Sequence, residues 1–206
     1  MIIACIPVRY NSSRLQGKHL LPLNGKPILA YLVDRVKNIR AIERAILCIG
    51  EDGHEQHYID FATQYGIDYI VGSVPNVIDR YIQAIEKYST CSINQVHTMV
   101  RITGDDCFPD IKLAGQLIDH HLHEDADYTS YAHYVSGMDI ETYSVESLKK
   151  IANTSIKCGT EYLKYYYEGN NKNKFKSAYF DPKLSNFRNI NIALDTTIDY
   201  TYICDK

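Results

Sequence analysis

The chain has 206 residues, 45% hydrophobic and 23% charged, proportions that suit one soluble globular domain over residues 1–206 and exclude a disordered chain. Lys and Arg total 22 against 25 Asp and Glu, a formal net charge of −3, so no basic stripe for coating nucleic acid is expected and a polyphosphate must be held by a local cluster of cations. No apolar run reaches bilayer-spanning length, and six cysteines without a Cys-x-x-Cys pair read as reduced, mostly buried thiols of a cytoplasmic protein.

In chain order, Ile2–Ile6 is a short, β-branched apolar run ending at Pro7 and reads as a buried strand. Pro27–Asn38 reads as a helix with Pro27 at its first position. Ala45–Ile49 is a second strand, Glu55–Tyr65 a helix closed by Gly66, and Asp68–Val71 a third strand. Val77–Tyr88 follows as a helix capped by Asn76, then a strand at Val96–Ile102 and a helix at Ile111–His123. Strands are expected at Tyr128–His133, Asp139–Tyr143, Phe175–Phe180 and Ile190–Leu194, and helices at Val145–Ile151, Thr160–Tyr167 and Thr197–Cys204. Glu168–Lys174 is an exposed loop by composition. Strand–helix alternation with crossovers of this length predicts a three-layer α/β domain with a mostly parallel central sheet. Such sheets bind ligands at the carboxyl ends of their strands, so the residues just after each strand carry the functional interest.

After the first strand comes Pro7-Val8-Arg9-Tyr10-Asn11-Ser12-Ser13-Arg14-Leu15-Gln16-Gly17-Lys18. Three cations, short polar residues and a glycine are what a triphosphate requires, namely countercharge, hydroxyls and free backbone N–H groups. By composition alone a solvated charged loop fits as well. Other phosphate motifs are absent: no G-x-G-x-x-G follows Ile6, and around Gly25-Lys26 the positions that a P-loop needs as Gly and Ser/Thr are Leu20 and Pro27. The strand before Thr103-Gly104-Asp105-Asp106 ends in two acids, hard oxygen ligands of the kind Mg²⁺ takes, although Gly-Asp-Asp is also ordinary turn chemistry. Asp195 repeats the pattern at a later strand end, whereas Asp199 reads as a first-turn helix acid. Asp139 and Glu141, two apart on one strand, point the same way and are candidates for an acceptor's hydroxyls; a solvent-facing charged edge explains them equally. His54, His57, His120, His121 and His123 read as surface histidines, because no converging ligand set accompanies them.

Taken in order, these blocks resemble the cytidylyltransferases of sugar-acid activation, the spore-coat polysaccharide branch and its CMP-sugar-acid synthetase relatives. Pro7, Arg9, Arg14, Leu15 and Lys18 match the signature P-x-R-x-x-x-x-R-L-x-x-K. Asn76–Tyr81 resembles the helix start D-V-L-D-R-Y, Val100–Asp105 the strand end V-R-I-T-G-D, Gly137–Glu141 the block G-L-D-V-E, and Leu194–Asp199 the block V-D-T-P-E-D. The resemblance implies a Rossmann-like nucleotide-diphospho-sugar transferase fold, CTP as donor, Mg²⁺ as cofactor, a small anionic acceptor and often a homodimer. It places Arg14 and Lys18 on the triphosphate, Pro7, Arg9, Ser13, Arg80 and Thr103 near the nucleotide, and Asp105 and Asp195 on the metal. The departures are Gln16 in place of proline, Asp106 ahead of Cys107, and Lys157-Cys158-Gly159-Thr160 where spore-coat relatives carry Glu-His-Val-Thr. Two alternatives stay open from sequence: another nucleoside triphosphate or a phosphonate or phosphorylated acceptor, and a catalytically reduced nucleotide-binding subunit of a capsule-biosynthesis complex.

Overall fold

A strand that is apolar at nearly every position needs a covered face on both sides, and the first strand has one. In a computed structural model of the chain, residues 1–89, 96–133, 135–153, 163–168, 173–183 and 190–205 are described. The elements run β1 (Ile2–Val8), β2 (Pro22–Leu23), β3 (Lys26–Pro27), α1 (Ile28–Lys37), β4 (Arg44–Gly50), α2 (Gln56–Gln64), β5 (Asp68–Gly72) and α3 (Val77–Ser89). They continue with β6 (Thr98–Arg101), α4 (Ile111–Glu124), β7 (Tyr128–Tyr131), β8 (Glu141–Ser144), α5 (Val145–Ala152), α6 (Lys164–Tyr167), β9 (Ser177–Phe180) and α7 (Thr197–Cys204).

Seven strands form one sheet in the order β5-β4-β1-β6-β8-β7-β9, with β8 antiparallel to both its neighbours and all other pairs parallel. The side-chain alternation of β1 divides the core. Ile2, Ala4, Ile6 and Val8 face α1, α2 and α4, whereas Ile3 and Cys5 face α3, α5 and α6. The three expected layers are therefore present. On the second face Tyr128, Tyr143 and Tyr167 pack ring to ring at 5.1–5.3 Å and are fully buried. Among the described residues no helix is long and apolar enough to cross a membrane. Cys5, Cys48 and Cys107 are buried free thiols and Cys204 an exposed one.

Several element expectations need correction. β1 continues through Pro7 to Val8, because β6 pairs with it only as far as Cys5 and leaves no ladder partner on that side for the missing Pro7 N–H. Pro27 is the N-cap rather than the first turn of α1. It closes a two-residue hairpin in which Asn24 (φ 48°) and Gly25 (φ 80°) make the turn, the left-handed pair that Asn-Gly favours. Ile190–Leu194 is not a strand. Only an isolated Ser136–Asn191 bridge forms, and its backbone N–H groups bond singly to scattered partners, as the site requires below. β8 begins at Glu141, so Asp139 precedes the strand that was expected to hold both acids. Of Thr160–Tyr167, residues 164–167 are helical, and 160–162 lie outside the described residues, as do 169–172 of the expected loop and the whole block 157–160.

Candidate active site

Three backbone segments meet at the carboxyl ends of β1 and β6. The first is the loop after β1. Tyr10 O accepts from Ser12 N and Gly17 N, both at 2.9 Å, so the chain folds back on itself. Gly17 adopts φ 62° with the Tyr10 ring against it; a Cβ there would lie 2.9 Å from Tyr10 Cε2. The reversal starts a short 3-10 turn, Lys18–Leu20, that drives Lys18 and His19 into the protein, 6% and 4% exposed.

The second segment is the turn after β6. Gly104 donates to Pro7 O (3.3 Å) and sits so close to His19 and Val8 that a Cβ would meet them at 2.8 Å. His19 Nδ1 bonds the Tyr58 hydroxyl at 2.9 Å, and that hydroxyl donates to Arg9 O. Burial pushes the His19 pKa down to about 3, so a neutral imidazole supports both loops.

The third segment, 190–195, delivers Asp195. Ile192 N donates to Ser136 O (2.8 Å), and Leu194 N donates to Asp105 O (3.0 Å), which ties the backbones of the two candidate metal acids together. Gly137 (φ 97°) permits this approach, since a Cβ there would fall 2.3 Å from Ile192 C. Thr196 and Asp199 then form a capping box at the start of α7, and the Asp199 carboxylate also accepts from Asp195 N (3.2 Å). Asp199 thus acts at the helix start, as read from its position.

These segments place Lys18 Nζ 3.1 Å from Asp105 Oδ2 and 2.9 Å from Asp195 Oδ1, with Arg14 Nη2 2.8 Å from the same Asp195 oxygen. Burial alone would raise the Asp105 pKa; the Lys18 charge and hydrogen bond outweigh it and hold the carboxyl below its ordinary value. Next to it, burial and the Asp105 charge push Asp106 up to about 7, opposed by the hydrogen bond that the Thr103 hydroxyl donates to it.

A cleft of about 130 Å³ opens beside this cluster, lined by Pro7, Arg9, Ser13, Arg14, Lys18, Arg80, Thr103 and Asp105 among others. Arg80 is buried under its floor, where Nη1 donates to Cys48 O (2.8 Å), and Nε has no partner among the described residues. The residues expected at the phosphates and the nucleotide therefore share one cleft with Asp105, and Asp195 joins them through its ion pairs with Arg14 and Lys18. The acceptor pair is split. Glu141, 5% exposed, is bound by Arg101 Nη1 (2.6 Å) and by the hydroxyls of Tyr143 (2.8 Å) and Tyr128 (3.3 Å). Asp139 keeps a buried Oδ1 without a partner among the described residues, and burial, then Glu141 and Asp106, raise its pKa well above the usual carboxylate range.

The donor set suits a hard divalent ion: two carboxylates already converge on a cation, and Mg²⁺ takes one or two protein carboxylates with phosphate oxygens completing its shell. Among the described residues no group of three or more acidic, His or Cys side chains is arranged for a metal. His121 is nevertheless not a surface residue; it is 3% exposed and bonded to the Thr129 hydroxyl at 2.8 Å. Sequence reading missed His19, which has no motif signal, and Asp52, which follows the end of β4 and was open to the strand-end rule.

A family profile described as cytidylyltransferase matches residues 3–203. An uncharacterized protein of Methanocaldococcus jannaschii is 29% identical over 202 residues, 97% of this chain and 80% of that one. The spore coat polysaccharide biosynthesis protein SpsF of Bacillus subtilis is 33% identical over 132 residues, 62% of this chain and about half (52%) of SpsF. A cytidylyltransferase structure from Leptospira borgpetersenii superposes with TM-score 0.86 at 24% identity, covering 98% of this chain and 84% of that one. A CMP-2-keto-3-deoxy-manno-octonic acid synthetase complexed with CTP gives 0.68 at 15% (99% and 97% covered), and a manganese complex of Rv0371c from Mycobacterium tuberculosis gives 0.64 at 16% (100% and 98%).

Proposed function

The chain belongs to the cytidylyltransferase family and is a nucleotidyltransferase, and from that starting point we propose that it transfers CMP from CTP to an oxygen of a small anionic acceptor, a sugar acid in class, releasing pyrophosphate. The observation that carries this reading is the convergence of Asp105 and Asp195, 87 and 177 residues away in sequence, on Lys18 beside a cleft with Arg9, Arg14, Arg80 and Arg101 in its lining.

In this reading the acceptor hydroxyl gives its proton to solvent, the oxygen's lone pair forms the new bond to the α-phosphorus while the bond to the bridging oxygen of the β-phosphate breaks, and pyrophosphate departs with that electron pair. Arg14 and Lys18 turn from the carboxylates to the phosphates and stabilise the charge that grows on the leaving group. Pro7, Arg9, Ser13, Arg80 and Thr103 shape the nucleotide's surroundings. Asp105 and Asp195 would hold Mg²⁺, which when bound polarises the reacting P–O bond and makes the nucleophile more acidic; the manganese complex of a similar fold supports a divalent ion of this kind.

Glu141 serves as the countercharge of Arg101, which leaves Asp139 as the acceptor-side candidate. The similarity to SpsF supports a place in surface polysaccharide biosynthesis. A homodimer is part of this reading, to be tested by sedimentation. The decisive assay is pyrophosphate release across the four ribonucleoside triphosphates with a panel of sugar acids. CTP-dependent release that disappears in Asp105→Ala is expected; full activity in that variant would remove the assigned role.

A further inference from the structure

The loop that carries Arg9, Arg14 and Lys18 is held from outside by one carboxylate. Asp52 lies in the turn between β4 and α2 and does not line the cleft. Its Oδ2 accepts from two consecutive backbone amides, Tyr10 N and Asn11 N, both at 2.8 Å. Its carbonyl accepts from Asn11 Nδ2 (3.1 Å), and its other carboxylate oxygen accepts from His54 N (3.1 Å), which fixes its own turn. From there the order passes round the loop: Asn11 Oδ1 accepts from Gln16 Nε2 (3.0 Å), and Tyr10 O binds Ser12 N and Gly17 N. The Tyr10 ring lies between Gly17 and the imidazoles of His54 and His57, with ring centroids at 4.8 and 5.1 Å.

We infer that Asp52 is a positioning residue for triphosphate binding, a latch that sets the phosphate loop in its binding shape before any nucleotide arrives. This rests on the proposed nucleotide-binding reading. A loop of this length with several rotatable cations loses conformational freedom when it closes on a ligand, and prior ordering removes that loss from the binding equilibrium. Two charge-assisted hydrogen bonds to adjacent amides are a strong way to impose the order. The chemistry also makes the claim separable from ordinary electrostatics. A carboxylate beside a cationic loop repels a polyanion, so its charge alone weakens binding; its hydrogen bonds strengthen it by shaping the loop.

The test is calorimetric titration with tripolyphosphate and, separately, with CTP and Mg²⁺, in wild type, Asp52→Ala and Asp52→Asn. Asp52→Ala is expected to weaken both ligands about tenfold. Asp52→Asn, which loses the charge but keeps an oxygen facing the two amides, is expected to stay within about threefold of wild type or bind more tightly. Equal or tighter tripolyphosphate binding by folded Asp52→Ala overturns the latch. Hydrogen exchange in the unliganded wild type is the variant-free measurement: slow exchange at the Tyr10 and Asn11 amides supports the latch, and exchange at unprotected rates overturns it. If wild type binds tripolyphosphate but not CTP, the cytidylyltransfer reading fails while the latch is judged on tripolyphosphate alone.

Discussion

Replacing Lys18 by Met keeps the stem and removes the charge that joins two carboxylates. In the wild type Arg14 and Lys18 face Asp105 and Asp195, so the cluster is neutral. The variant leaves Arg14 on Asp195 and strips Asp105 of its ion pair. Breaking a buried pair costs about 3–5 kcal/mol, but these carboxylates are 31% and 26% exposed and solvent screens them, which brings the expected loss to about 2–3 kcal/mol. For a chain of this size that lowers Tm by about 4–12 °C. The same two carboxylates then bind a divalent ion without displacing an ammonium, so Mn²⁺ should restore most of the loss in Lys18→Met while moving wild type little. Pyrophosphate release should fall by at least about 10²-fold, because the cation proposed to face the departing pyrophosphate is gone. Thermal unfolding with and without Mn²⁺, alongside the activity assay, measures all three effects. An unchanged Tm, or equal Mn²⁺ shifts in both proteins, would refute the idea that Lys18 holds the metal's place.

Gly137→Ala should lower stability by about 2–4 kcal/mol, since its Cβ would lie 2.3 Å from Ile192 C at a φ of 97°, and should lower activity further by displacing Asp195; wild-type thermal stability would contradict the contact. Two buried imidazoles each contribute a stability that acid removes. Burial lowers the pKa of His19 to about 3 and of His121 to about 4, both below the ordinary 6.5, so the unfolded chain takes up protons that the native state refuses. Their stabilising contribution is complete above pH 6.5 and is lost as pH falls toward those values, by about 2 kcal/mol each between pH 6.5 and 5. Asp106 and Asp139, whose pKa values burial raises, act in the opposite sense over the same range, so the measurement is a difference. By urea denaturation His121→Gln should lose about 2 kcal/mol less than wild type between pH 6.5 and 5, and equal losses would mean that His121 is not held neutral.

The strand–loop logic of the candidate site was legible because it is local: a buried strand must end, and the residues after β1 and β6, cationic and acidic in turn, are those the structure brings together at the cleft. Asp199 was equally legible as a first-turn acid of a helix, and the structure adds its capping box with Thr196. The 190–194 segment misled because Ile-Asn-Ile-Ala-Leu alternates like a strand, while its backbone partners, Ser136 O and Asp105 O, are chosen by tertiary packing around Gly137. His121 was misplaced for another reason. Its helical phase follows Ala114, Leu117 and Ile118, all buried, so the signal existed and the neighbouring histidines masked it. Glu141 could not be assigned from sequence, since its partners Arg101 and Tyr128 come from other strands.

The manner in which Asp195 is carried has a consequence for how such a protein can diverge. In a ladder, a single inserted residue reverses every later side chain, so the paired strands of the sheet are intolerant of length changes. Residues 190–195 are pinned at separate points, at Ser136 and Asp105, and an insertion between those pins stays between them. The segment that carries Asp195 is therefore open to remodelling by insertion and deletion between its pins, while the strands of the sheet are held to their register.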